Sequence, residues 1–192
     1  MNKVLYIILI SLFSLTILSC AKKSSDESSS STTELEGAWA SSCGVTSWDN
    51  SHYVIKTWTF TGSALVVKWD EYSDSSCATD YAIWTDTYSS FSKGNEATLD
   101  NGSTGQKFTM KVDSFVGSMQ TAAAVTDYNN LNFCFSDWAL NTTRDYTGKT
   151  CGSTDYPAAN TNIYGVYLLE GSSLLINTDN ITSVGSTVFT KQ

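Results

Sequence analysis

Period-two alternation of apolar and polar residues is the feature that most restricts the folds open to this chain. After a turn at Gly62, residues Leu65, Val67 and Trp69 fall on one face of the chain, and Lys68 falls on the other. Such alternation is typical of a β-strand that buries one face. The arm before the turn has a similar pattern, so the two arms predict a β-hairpin.

Further strand-like stretches follow, and polar turns separate them. They are "DYAIWTDTYSSFS", "KFTMKVDSF", "LNFCFSDWAL", "NIYGVYLLEGSSLLINT" and "TVFTKQ". One stretch differs, because "SMQTAAAVTDYNN" is rich in alanine and has Ser118 as a candidate N-cap. It predicts a short helix over residues 119–129.

These elements predict an all-β fold built as an antiparallel up-and-down meander of about eight strands. A meander of this size removes its exposed edges by closing into a barrel, and we expect a lipocalin-like barrel over residues 35–192. A two-sheet β-sandwich remains open as the alternative arrangement of the same strands.

The amino terminus predicts export. Lys3 precedes an apolar run over residues 4–18, which would span about 22 Å as a helix at 1.5 Å per residue. A bilayer core needs roughly 30 Å, so residues 1–19 are interpreted as a signal peptide rather than a membrane span.

Cys20 follows the small residue Ser19, and "ILSC" resembles a bacterial lipobox. The resemblance implies that Cys20 is acylated, as with palmitate, and becomes the mature N-terminus. Residues 20–34 are rich in serine and predict a flexible tether with a reach of roughly 20 Å. In the sorting rule of bacterial lipoproteins, Ala21 after the cysteine implies a lipid anchor in the outer membrane.

Charge and cysteine count restrict the partners and the compartment. The chain has 11 basic and 19 acidic residues, which argues against nucleic acid and against electrostatic binding to anionic lipid. Four cysteines remain beyond Cys20, and in an oxidising compartment they predict two disulfides. Three pairings are open, and we favour Cys43–Cys77 with Cys134–Cys151. Zinc is disfavoured because no pair has C-x-x-C spacing.

Two resemblances extend this interpretation. Gly37-Ala38-Trp39 at the head of the first strand resembles the G-x-W signature of lipocalins and other calycins, in which the tryptophan plugs the closed end of the barrel. Lipocalins commonly pack an arginine of the last strand on that tryptophan, whereas here the last strand offers Lys191.

The second resemblance covers most of residues 35–192. The stretches "GAWASSC", "YSDSSC", "CFSDWALNTTRDYTGKTC" and "IYGVYLLEGSSLLI" look like a group of uncharacterised exported lipoproteins of bacteria. This likeness implies a fold and an address but no chemistry.

The sequence contains few residues in patterns typical of a catalytic site. His52 is the only histidine, and it opens a strand at what we expect to be a rim. Asp70, Glu71 and Asp74 cluster at a strand end, where we expect solvated charges. No nucleophile elbow, zinc motif or phosphate-binding loop is present. We therefore expect a protein that is not an enzyme and needs neither cofactor nor metal.

Two function hypotheses follow. The first is a membrane-anchored, non-enzymatic lipoprotein whose disulfide-stapled barrel presents its surface to a partner. The second is a lipocalin-like carrier of a small hydrophobic ligand. In that case the strand residues expected to line the cavity are Lys56, Trp58, Phe60, Trp69, Trp84 and Phe108, with Lys56 as the polar anchor.

Overall fold

The computed structural model describes residues 33–47 and 50–192. The predicted signal peptide, Cys20, most of the predicted tether and Trp48 lie outside the described residues. The elements in chain order are β1 Gly37–Ser41, β2 Gly44–Val45, β3 Tyr53–Thr61, β4 Ala64–Tyr72, β5 Asp80–Thr98, β6 Thr104–Met119, α1 Ala122–Asn130, β7 Thr143–Asp145, β8 Thr150–Cys151, β9 Thr154–Asp155, β10 Asn162–Glu170, β11 Ser173–Asn177 and β12 Phe189–Lys191.

Eight antiparallel strands close into one barrel, in the order β1, β3, β4, β5, β6, β10, β11 and β12. Strand β1 completes the ring because it pairs on both sides: Trp39 lies opposite Trp58 of β3 and opposite Lys191 of β12. The predicted barrel is therefore confirmed, and the sandwich alternative is wrong. Of the remaining strands, β2 pairs with β3, β7 pairs with β6, and β8 and β9 form a separate hairpin.

The two ends of the barrel differ. At the proximal end, the chain enters at Gly37, which lies opposite Phe60 beside the turn between β3 and β4. At the distal end, β4 ends and β5 begins, with Tyr72 opposite Asp80. The segment between β6 and β10, residues 120–161, leaves β6 at this distal end and is called the insert below.

Trp39 lies inside the barrel near the proximal end. Its side chain is 2% exposed, and its Nε1 donates a hydrogen bond of 2.7 Å to the carbonyl of Leu35. Lys191 of the last strand places its Nζ 5.3 Å from the centroid of the Trp39 ring, where lipocalins commonly hold an arginine. Gly37 has φ of +107°, a backbone conformation that favours glycine.

The insert contains two departures from the sequence predictions. The helix begins at Ala122, because Met119 still pairs in β6 with Ala82, and its N-cap is Thr121 rather than Ser118. Residues 131–140 form no strand, so that prediction was wrong. Their backbone is bonded partly by side chains instead: Asn129 Oδ1 accepts a hydrogen bond of 2.6 Å from the amide of Trp138.

Both disulfides have the pairing favoured from the sequence. Cys43–Cys77 joins the segment after β1 to the loop between β4 and β5, across 34 positions of the chain. Cys134–Cys151 lies within the insert and closes 17 positions. By loop-entropy reasoning these bonds contribute about 3–4 kcal/mol each. Because of where they lie, both mainly restrain the distal end of the fold.

Candidate functional site

A polar cluster lies inside the barrel and is built from inward positions of three adjacent strands. Lys56 of β3 is half-buried, and its Nζ lies 3.7 Å from the ring centroid of Trp69 on β4 and 4.6 Å from that of Trp58. An ammonium over the face of a tryptophan is attracted by the ring quadrupole. Burial nevertheless lowers the pKa of Lys56 to about 8, although Asp86 and Asp179 oppose this change.

Asp86 of β5 supplies the opposite charge. Its Oδ2 accepts a hydrogen bond of 3.2 Å from Nε1 of Trp69, and the hydroxyl of Tyr146 lies next to the same carboxylate. Burial raises the pKa of Asp86 to about 6, against the opposing effects of Trp69, Lys56 and Tyr146. The cluster thus contains a cation and a carboxylate whose charged forms are both penalised by burial.

A second buried carboxylate lies nearer the distal end. Glu71 is 1% exposed, and its Oε2 accepts hydrogen bonds of 3.1 Å from Trp84 Nε1 and of 2.8 Å from the Tyr128 hydroxyl. His52 Nδ1 lies 3.7 Å from Glu71 Oε1, and the imidazole stacks on Tyr81 with ring centroids 4.0 Å apart. The expectation that Glu71 is a solvated strand-end charge was therefore wrong.

The insert fills the distal mouth of the barrel with aromatic side chains. Four of its rings surround Trp84, with centroid distances from 5.1 to 5.8 Å; they are Tyr128, Phe133, Trp138 and Tyr146. A fifth ring, Tyr156, packs against Phe115 of β6 at 5.6 Å. Edge-to-face contacts of this kind stabilise a core beyond simple area burial. The chain itself thus occupies the entrance that a lipocalin-like ligand would use.

The proximal half of the interior is also packed. Phe60 contacts Phe91, and Phe91 contacts Phe108, each with ring centroids 5.3 Å apart. Phe108 lies opposite Gly165 of β10, where any Cβ would collide with its ring. Glycine at this position lets the Phe108 ring pack against the backbone of the adjacent strand. An eight-stranded barrel is narrow enough for its own side chains to fill it in this way.

The structure places all six predicted cavity residues on inward-facing strand positions. It brings Lys56, Trp58 and Trp69 together, whereas Trp84 belongs to the aromatic group of the insert. Phe60 and Phe108 lie in the proximal half of the barrel, where both contact the ring of Phe91. These side chains contact one another, so they form core rather than the wall of an open cavity.

Sequence reasoning missed Asp86 and Glu71 as members of the site. Asp86 shares strand parity with Trp84, and Glu71 shares it with Trp69, so the alternation pattern already placed both inside. Tyr146 could not be found this way, because the insert has no regular period.

Two open depressions are found on the described part of the protein, and both include outward-facing or rim residues. One, of about 200 Å³, lies at the proximal rim beside Glu34 and Tyr167. The other, of about 270 Å³, lies on the outer wall beside Tyr164 and Ile181. Of the predicted cavity residues, only Phe108 contributes to either depression.

Comparisons with known proteins identify no family for this chain. No family model matches the chain, and no curated protein matches it. Residues 33–47 and 50–192 contain no group of three histidine, cysteine or carboxylate side chains arranged to hold a metal ion. Within the same residues, no helix has the length and apolar character needed to cross a membrane.

The buried carboxylate of Asp86 predicts a pH dependence of stability. Because its pKa rises from 3.8 to about 6 on folding, the folded protein binds this proton more tightly than the unfolded chain. The associated stability is present at low pH and is lost as pH rises through about 6. Between pH 4 and 7, the free energy of unfolding should fall about 2 kcal/mol further in the wild type than in Asp86→Asn. Urea denaturation at several pH values measures this difference, and parallel profiles would contradict the assignment.

Proposed function

We propose that this protein is a non-enzymatic bacterial lipoprotein, anchored in the outer membrane through acylated Cys20, whose barrel presents its outer surface to a partner. The observation that carries this proposal is the filled interior. The predicted cavity residues pack on one another, and the aromatic side chains of the insert occupy the distal mouth. Binding then falls to the outer wall and the loops.

The carrier hypothesis would require these side chains to move. A ligand at Lys56 would displace the Trp58 and Trp69 rings from the ammonium, and a ligand at Asp86 would displace Tyr146. Each displacement exposes a buried polar or aromatic group, which costs free energy that the ligand must offset. The filled core therefore supports the surface-presenting role over the carrier.

The positions of the two disulfides favour the distal loops and the insert as a binding surface. Cys43–Cys77 and Cys134–Cys151 hold the distal loops and the insert, so the irregular parts of these segments are restrained by covalent bonds. Loops that a scaffold holds in place bind with a smaller entropic cost. The resemblance to exported bacterial lipoproteins agrees with this role, because it implies the same address.

The lipid anchor can be tested by one substitution. Cys20→Ser removes the acylated thiol, so we expect no incorporation of labelled palmitate and loss of the domain from the membrane fraction. Ser19→Ala is the control, because it changes the neighbouring residue but keeps a small side chain before Cys20. This variant should remain anchored. If wild-type protein incorporates no palmitate and Cys20→Ser still sediments with membranes, the anchor proposal is wrong.

A further inference from the structure

The larger depression is a groove on the outer wall of the barrel, between β5, β6, β10 and the loop after β11. It holds about 270 Å³ and is lined by Gly94, Lys107, Thr109, Tyr164, Gly165 and Ile181, among others. Tyr164 is 57% exposed and Ile181 is 42% exposed. Single exposed apolar residues are ordinary, but two on one groove mark a surface that can be covered.

The rim of the groove is held in place by hydrogen bonds. Thr182, next to Ile181, accepts a bond of 2.8 Å at its carbonyl from the amide of Asp100, and its hydroxyl donates to Asp100 Oδ2 at 3.3 Å. Asn177 Nδ2 donates to the carbonyl of Ser183 at 3.1 Å. These bonds tie the loop to the β5–β6 turn, so Ile181 is positioned before anything binds.

Two lysines accompany the apolar rim. Lys107 lines the groove, and Lys111 lies four positions along the same strand, on the same face. Neither forms an ion pair with any residue the structure describes, whereas Lys68 and Lys93 are paired with Asp70 and Glu34. The groove therefore combines exposed apolar side chains with ammonium groups that remain available to an anionic group.

The chain leaves the barrel beside this groove. Glu34, one of the first described residues, accepts a hydrogen bond of 2.7 Å from Lys93 Nζ and one of 2.6 Å from the Tyr167 hydroxyl. Lys93 directly precedes Gly94 of the groove. The sequence predicts a tether with a reach of roughly 20 Å between Cys20 and Glu34, so the proposed anchor at Cys20 would keep this wall near the bilayer.

We infer that the groove is a membrane-docking surface, in which Tyr164 and Ile181 enter the headgroup region of the bilayer while Lys107 and Lys111 contact lipid phosphates. This inference rests on the lipid anchor proposed above. Tyrosine suits the interface because its ring is apolar and its hydroxyl remains hydrated, and lysine reaches phosphate through a long apolar stem.

The acidic character of the whole chain does not prevent such docking. Asp74, Asp80, Asp127 and Asp137 lie in the distal loops and the insert, away from the groove. Asp100 and Asp179 lie closer, and Asp113 follows Lys111 by two positions on the same face of β6, where it accepts a hydrogen bond of 2.6 Å from the Ser89 hydroxyl. Apolar insertion and short-range contacts therefore drive the association rather than net charge. The anchor makes docking intramolecular, and a weak contact is then sufficient.

Hydroxyl-radical footprinting of the lipidated protein tests the inference. The protein is reconstituted in vesicles of phosphatidylethanolamine with a minority of phosphatidylglycerol, and its oxidation is compared with that of the folded, unlipidated Cys20→Ser protein free in solution. We expect Tyr164 and Ile181 to be protected at least about threefold relative to their exposure in the free domain. Leu131 and Leu140 are 72% and 49% exposed on the insert, and their oxidation should not change.

Reversing the charge of the two groove lysines is the second part of this experiment. Lys107→Glu with Lys111→Glu should remove most of the protection at Tyr164 and Ile181, whereas Lys149→Glu on the distal insert should leave it intact. Low oxidation of the buried side chains Trp39 and Met110, which are 2% and 1% exposed, reports that each variant is folded.

The outcomes separate docking from anchoring. Flotation with the vesicles reports the anchor independently, so a protein that floats while Tyr164 and Ile181 stay fully oxidised overturns docking and leaves the anchor proposal standing. Protection that survives charge reversal excludes the lysine contacts and overturns the inference as stated. Protection in whole cells but not in vesicles assigns the groove to a protein partner and also overturns it.

Discussion

Trp39→Ala should destabilise the protein by about 3–5 kcal/mol, because the substitution leaves a large void and leaves the Leu35 carbonyl without its indole donor. The indole lies between β3 and β12 at the point where β1 closes the barrel, opposite Trp58 and Lys191. A loss of this size is a large share of the free energy of unfolding of a typical domain, which is about 5–15 kcal/mol. The expected shift in the urea midpoint is therefore easily measured.

Leu131→Ala is the control for this experiment. Because Leu131 is 72% exposed, its truncation should lower the free energy of unfolding by less than about 0.5 kcal/mol. Both variants are compared with their disulfides intact. Equal and small losses would mean that Trp39 does not close the barrel, and the likeness to the G-x-W signature would then have no structural meaning.

Glu71→Ala should destabilise the protein by about 3–5 kcal/mol, although the residue is acidic and lies near a strand end. The substitution removes the acceptor shared by Trp84 Nε1 and the Tyr128 hydroxyl, and both donors are buried. Because Tyr128 belongs to α1, we also expect the insert to loosen, with faster hydrogen exchange in residues 122–130.

The neighbouring residue provides a matched control. Asp70 pairs with Lys68 on the outer face at 2.7 Å, and Asp70→Ala should cost less than about 1 kcal/mol. Glu71→Gln keeps one acceptor oxygen, so this variant should lose less stability than Glu71→Ala. If Glu71→Ala and Asp70→Ala have the same small effect, the buried carboxylate does not hold the insert on the barrel.

Strand alternation predicted much of the architecture. Leu65, Val67 and Trp69 face inward as expected, and the short helix exists between β6 and the later strands. The same alternation placed Glu71 and Asp86 inside, yet Glu71 was expected to be a solvated strand-end charge and Asp86 was not considered. Tertiary partners decide such cases, because a carboxylate is tolerated in a core only where donors meet it.

The insert could not be predicted for a different reason. Its aromatic residues contact Trp84 at 5.1–5.8 Å, but they come from a helix, an irregular segment and the position that follows the short strand β7. No single period describes such a segment, and "LNFCFSDWAL" was therefore mistaken for a strand. Whether a barrel is open or filled depends on these long-range contacts, which local pattern does not contain.

The central claim is that the interior is closed by the protein's own side chains, and native mass spectrometry of protein purified from its own host tests it most directly. The account predicts one mass, equal to the acylated chain with two disulfides and no additional small molecule, in every preparation. A small apolar molecule bound at one per chain, and lost from a Lys56→Gln variant that remains folded, would contradict the account and establish the barrel as a carrier.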